Sequence, residues 1–105
     1  MKYEDLRKLI NNVIENEFQH IQNYEEKDFS DTDKEQKELE DKTTEVFEKL
    51  LKSIPEEYRK LIDEYSSAAC YEWVNLCRFY FKKGVIAGTT NLNFLKDTKI
   101  MGYID

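Results

Sequence analysis

The sequence predicts an all-α fold: a three-helix antiparallel arrangement with a long C-terminal helix, dimerising through that helix. Three observations predict it. Apolar residues recur at spacings of three and four along most of the chain, which places them on one helix face. Only three Gly and one Pro occur in 105 residues, too few for the tight turns of an all-β domain. The single Pro sits in Ser53-Ile54-Pro55-Glu56, where Ser53 can cap, Glu56 follows at capping-box spacing and Pro55 is tolerated in a first turn.

The first helix is expected over residues 3–25. Leu6, Leu9, Ile10, Val13, Ile14, Phe18, Ile21 and Tyr24 carry the period, and Glu4 and Asp5 suit the positive end of its dipole. Residues 26–32 lose the period. Asp28, Ser30 and Asp31 are turn or cap types, so this stretch reads as an acidic linker pinned by Phe29. Ser30 or Thr32 is the expected cap of a second helix, because Asp33 and Glu35 follow each at capping-box distance. That helix is expected over 32–52. Its first half has only Leu39 as an anchor; its second half has Val46, Phe47, Leu50 and Leu51.

The third helix is expected from 54 to 95. Tyr58, Leu61, Ile62, Tyr65, Ala68, Ala69, Trp73, Leu76, Cys77, Tyr80, Gly84 and Ala87 share one broad face. The tail 96–105 has no clear period, but keeps Ile100, Met101, Tyr103 and Ile104 as residues that can pack back. At 1.5 Å per residue the third helix is about 60 Å long and the first about 35 Å. The overhang holds Tyr71, Trp73, Phe79, Tyr80, Phe81, Val85 and Ile86, apolar nearly all round. Such a helix must be covered on all sides, which predicts a second subunit, a buried Trp73, and close packing at Trp73, Tyr80, Gly84 and Gly88.

Length allows one domain, residues 1–105. An aromatic content of 13% argues against disorder. The net charge is −6, which argues against direct nucleic-acid binding through bulk charge. The charge is local. Residues 25–45 hold ten acids against four lysines, a net −6, while the rest of the chain carries acids and bases in equal number. This segment is either a solvated face or an acidic surface that steers a basic partner onto Glu35, Glu38 and Asp41. No apolar run is long enough to span a membrane, and no signal-peptide pattern opens the chain. Cys70 and Cys77, seven apart, lie about 10 Å apart on one helix, beyond the ~7 Å that a disulfide allows. Unpaired cysteines and many Lys and Glu point to a reducing cytoplasm.

Motifs for chemistry are incomplete. Glu17-Phe18-Gln19-His20 is one E-x-x-H, whereas di-iron bundles use two with two further Glu. Glu35/Glu38 and Glu45/Glu48 form E-x-x-E pairs, but no E-x-x-D completes the magnesium site of an all-α nucleotide pyrophosphatase. Asp31-Thr32-Asp33 has Gln36 where a calcium loop needs Gly, and Lys42 where it needs Glu. No phosphate loop or G-x-S-x-G occurs. The sequence therefore predicts no enzyme, no catalytic residues, no metal and no cofactor. Arg78, Lys82, Lys83, Lys96 and Lys99 interleave with Phe79, Tyr80 and Phe81. That pattern suits either base stacking or the negative end of a helix dipole, the reading preferred here.

The run Ile54-Pro55-Glu56-Glu57, followed by a long helix ending Tyr80-x-x-x-Gly84-x-x-x-Gly88, resembles a family of small helical proteins. They occur in low-GC Gram-positive bacteria, their phages and mobile elements. The likeness covers roughly residues 50–95. It implies a helical hairpin and a phage or mobile-element setting; the family has no established activity to carry over. Together these features predict a non-catalytic protein that binds a protein partner with a basic surface, as an inhibitor or regulator of a host protein, of the anti-CRISPR kind or similar. The alternatives are a small-ligand binder with an aromatic pocket between subunits and a structural subunit of a complex.

Overall fold

The computed structural model describes residues 2–97, Gly102 and Ile104. Every regular element among them is helical. The chain divides into two compact units, Met1–Glu72 and Trp73–Asp105.

The first unit opens with helix α1, Tyr3–His20. Glu4 and Asp5 lie in its first turn, where carboxylates offset the exposed N–H groups. Its period turns one face toward Phe18, which is 7% exposed and the one buried hydrophobic residue among those described. Ile14 and Ile21 on the same face are half-buried, while Leu6, Leu9, Ile10 and Val13 stay exposed.

The helix does not end at residue 25. It passes through a π-helical turn, Ile21–Glu25, and resumes as α2, Glu26–Thr32. The expected linker is thus helical. No Gly or Pro interrupts residues 21–32, and Ser, Asp and Thr disfavour a helix interior only weakly. Thr32 donates its hydroxyl to the Asp28 carbonyl at 2.7 Å, satisfying the side chain inside the helix instead of capping the next one. The π turn inserts an extra residue and so rotates the later residues off the α1 stripe. The apolar period disappears at 26 because Phe29 is the one apolar residue of 26–32, although the helix continues.

The break falls at Asp33, with φ −84° and ψ 117°. Its carboxylate accepts from the Gln36 backbone N–H at 2.9 Å and starts α3, Lys34–Ser53. The cap is Asp33, not Ser30 or Thr32: a cap needs extended backbone, and only Asp33 has it. Ser30 instead donates to Glu40 Oε1 at 2.9 Å, tying α2 to α3 across the corner. Helix-to-helix contacts in this unit concentrate at these joints, from α1 through the π turn to α2 and from α2 to α3.

Ser53 ends α3, donating to the Lys49 carbonyl at 2.7 Å; it does not cap the next helix. Ile54 is extended, at φ −104° and ψ 152°, as a residue before proline prefers. A 3-10 turn, Glu56–Tyr58, leads into α4, Arg59–Thr89. The Arg59 guanidinium reaches back to the Leu51 carbonyl at 3.5 Å.

The α-helix stops at Thr89, short of the expected 95. Thr89 and Thr90 turn their hydroxyls onto the Val85 and Ile86 carbonyls. The Leu92 N–H bonds the Ala87 carbonyl at 2.8 Å, a six-to-one closure of the kind that ends helices. A 3-10 turn, Asn93–Asp97, follows. Of the tail residues expected to pack back, Ile100, Met101 and Tyr103 lie outside the described residues, and Ile104 is exposed.

Asp33→Ala removes the carboxylate that holds the Gln36 N–H. It should cost about 1 kcal/mol, the usual worth of an N-cap, and lower the melting midpoint followed by circular dichroism. Ser30→Ala and Thr32→Ala should cost less than Asp33→Ala. A larger loss for Thr32→Ala would contradict this assignment of the cap.

Candidate interaction surfaces

Two surfaces hold the residues singled out in the sequence. The first is the α2–α3 corner. Glu35, Glu38 and Asp41 are all exposed, on the first two turns of α3 set by the Asp33 cap. The neighbouring Glu40 is engaged by Ser30 and by Gln36 Nε2 at 3.2 Å. A shallow depression of about 530 Å³ beside them is lined by Gln36, Leu39, Glu40, Asp41, Thr43 and Thr44. Phe29 and Leu39 are more than half exposed here, so the acidic surface also carries apolar contacts.

The second surface is on α4 within the second unit. At 100° per residue, the half-buried Val74, Cys77, Arg78, Phe81, Lys82 and Val85 fall on one side. Leu76, Phe79, Tyr80, Lys83 and Gly84 fall on the other with Trp73, and all six are exposed. Trp73 is 65% and Tyr80 69% exposed. The cover expected for Trp73 was a second subunit, and the single chain leaves its ring open. Gly84 and Gly88 lie open too: a Cβ at either would meet nothing within 4 Å. No described residue packs closely on the glycine pair. Lys83 Nζ lies over the Phe79 ring, 5.7 Å from its centroid, a geometry that attracts a cation to the ring face. The exposure of Phe79 and its pairing with Lys83 were not legible in the sequence, because a face apolar all round does not say which side is left open.

The fragments of catalytic motifs do not assemble. Glu17 and His20 are exposed on α1, and His20 stacks at a tilt on Tyr24, centroids 5.1 Å apart. Glu45 pairs with Lys49 at 2.9 Å instead of joining Glu48. Among the described residues no three His, Cys, Asp or Glu come together as metal ligands. Cys70 and Cys77 are free. Three surface depressions lie on α1 and α3, and their linings hold neither Trp73 nor Tyr80. Among the described residues no helix is long and apolar enough to cross a membrane.

Compared with protein-family models, curated proteins and solved structures, the chain matches none.

With Trp73 exposed in the single chain, Trp73→Ala should change stability at high dilution by less than about 0.5 kcal/mol, not the roughly 3–5 kcal/mol of a buried aromatic. Trp73 is the only tryptophan, so its emission reports this face alone. It should lie at long wavelength at nanomolar concentration and move to the blue at tens of micromolar as the face is covered. Emission that stays red throughout would show that no second copy covers Trp73.

Proposed function

We propose that this chain is a non-catalytic binding protein that self-associates through α4 and docks on a basic protein partner through the α2–α3 corner. The observation that carries this reading is the failure of the chain to cover its own apolar residues. Only Phe18 is buried among the described hydrophobics, while Leu, Val, Ile, Tyr, Trp and Phe side chains on both units are largely exposed. Exposed apolar surface on this scale marks an interaction site. The two surfaces suit different partners. The α4 face is aromatic, the composition enriched at the centre of interfaces. The corner carries Glu35, Glu38 and Asp41 on an exposed helix face, which suits electrostatic steering of a cationic protein.

The role as inhibitor or regulator of a host protein rests on the likeness to small mobile-element proteins and on analogy with how such proteins act. The intramolecular antiparallel arrangement of the three helices belongs to the same proposal, as the form the chain takes once its apolar faces are covered.

Light scattering tests the self-association. The expected mass at tens of micromolar is twice the 12.6 kDa of one chain; the mass of a single chain would overturn it. The corner is tested by the triple variant E35K/E38K/D41K. Its melting curve and mass should match the parent, since exposed substitutions usually cost less than about 0.5 kcal/mol each. Its association rate with a cationic protein should fall, and the parent's rate should fall with added salt. A triple variant that associates as fast as the parent would leave the acidic segment a solvated face.

A further inference from the structure

The exposed face of α4 has a repeat that pairs with itself. Trp73 and Gly84 are eleven apart in sequence, with Leu76 and Tyr80 spaced between them. Steps of three, four and four average about 3.67 residues per turn, close to the 3.6 of a straight helix, so these residues keep to one side of α4. The large member of this pair, Trp73, stands 65% exposed. The small member, Gly84, has nothing within 4 Å of where a side chain would begin. One end of the stripe thus offers a projecting ring and the other a vacancy.

Charge repeats at the same interval. Glu72, next to Trp73 on α4, and Lys83, next to Gly84, are also eleven apart and both exposed. At 100° per residue they lie on the same flank of the stripe. No Asp or Glu occurs from Trp73 to Lys96, so Glu72 is the nearest acid in sequence to this stripe.

We propose that a second copy of this chain packs on the stripe with its α4 antiparallel, about a twofold axis near residue 78. Trp73 of each copy lies over Gly84 of the other, Leu76 of each meets Tyr80 of the other, and Glu72 of each faces Lys83 of the other. An isologous interface of this kind repeats every contact twice. The direction follows from the flank. Residues on one flank of a helix meet the same flank of a neighbour only when the two helices run antiparallel. A parallel pair would instead set Trp73 on Trp73 and leave Gly84 opposite Gly84, a clash at one end and a void at the other. A polyanion is the poorer occupant, because Lys83 is the stripe's only cation and Arg78 and Lys82 lie on the half-buried side. The proposal rests on the self-association reading above and adds to it the direction and register.

Cross-linking and charge exchange test it together. In a C70S/C77S background, E72C mixed with K83C should form a disulfide-linked dimer under mild oxidation. Neither variant alone should do so. Position 72 of one copy lies about 18 Å along the axis from position 72 of the other, beyond the ~7 Å limit of a disulfide. Without added cysteines, E72K and K83E should each weaken dimerisation by roughly fivefold to tenfold, measured by sedimentation equilibrium. The double variant E72K/K83E should return to within about twofold of the parent. Within one chain the two residues are about 16 Å apart along α4, so that recovery can only come from contacts between copies. A dimer in which E72C links to itself, or in which the double variant is weaker than either single one, would overturn the antiparallel register and leave the homodimer standing. A monomer at tens of micromolar would overturn both.

Discussion

The uncovered apolar surface of the chain governs the rest of its structure. Burial of apolar area is the dominant favourable term in folding, and among the described residues Phe18 is the one hydrophobic side chain that is buried. The helices are specified locally, by the Asp33 cap, the extended Ile54-Pro55 break and the closure after Thr89. Contacts between helices sit at the joints. Local signals of this kind hold the ends of helices but contribute about a kilocalorie each, and long helices draw most of their stability from packing one face. The open faces of α1, α3 and α4 therefore have a consequence: anything that bound them would add directly to the stability of the fold.

Helix type and most helix starts were legible in the sequence because they depend on nearest neighbours. The period from Leu6 to Tyr24 is helical whatever lies around it, and Pro55 forces Ile54 out of the helical region on steric grounds alone. The stretch 26–32 was misread because loss of the apolar period was equated with loss of the helix. A period reports which face is buried; 26–32 holds one apolar residue, Phe29, and the helix continues through the π turn at Ile21–Glu25 without a buried face. The cap was misplaced by one to three positions for a related reason: Ser30, Thr32 and Asp33 are all competent caps, and the choice among them lies in the backbone angles at 33.

The surfaces were legible in composition and not in placement. The acids of residues 25–45 were visible at once, yet their setting on a corner tied by Ser30 and Glu40 needed the structure. Along α4 the apolar residues occur nearly all round. Fixing the open side at Trp73, Leu76, Phe79 and Tyr80 required knowing that Val74, Cys77, Phe81 and Val85 are half-buried. Trp73 was expected to be covered because it lies on the overhanging part of a helix apolar nearly all round. Within the single chain its ring stays 65% exposed.

The glycines gain their meaning from that exposure. Gly84 and Gly88 each cost α4 about 1 kcal/mol relative to Ala, and in a single chain nothing approaches them to offset it. A helix that also displays Trp73, Tyr80 and Leu76 on the same side carries two unfavourable features at once, interior glycines and exposed aromatic rings. Each becomes favourable under one condition: that a ring from another helix enters the space the missing side chain leaves. The spacing of eleven between Trp73 and Gly84 lets the same helix supply both the ring and the space, which is what the antiparallel pairing proposed above requires.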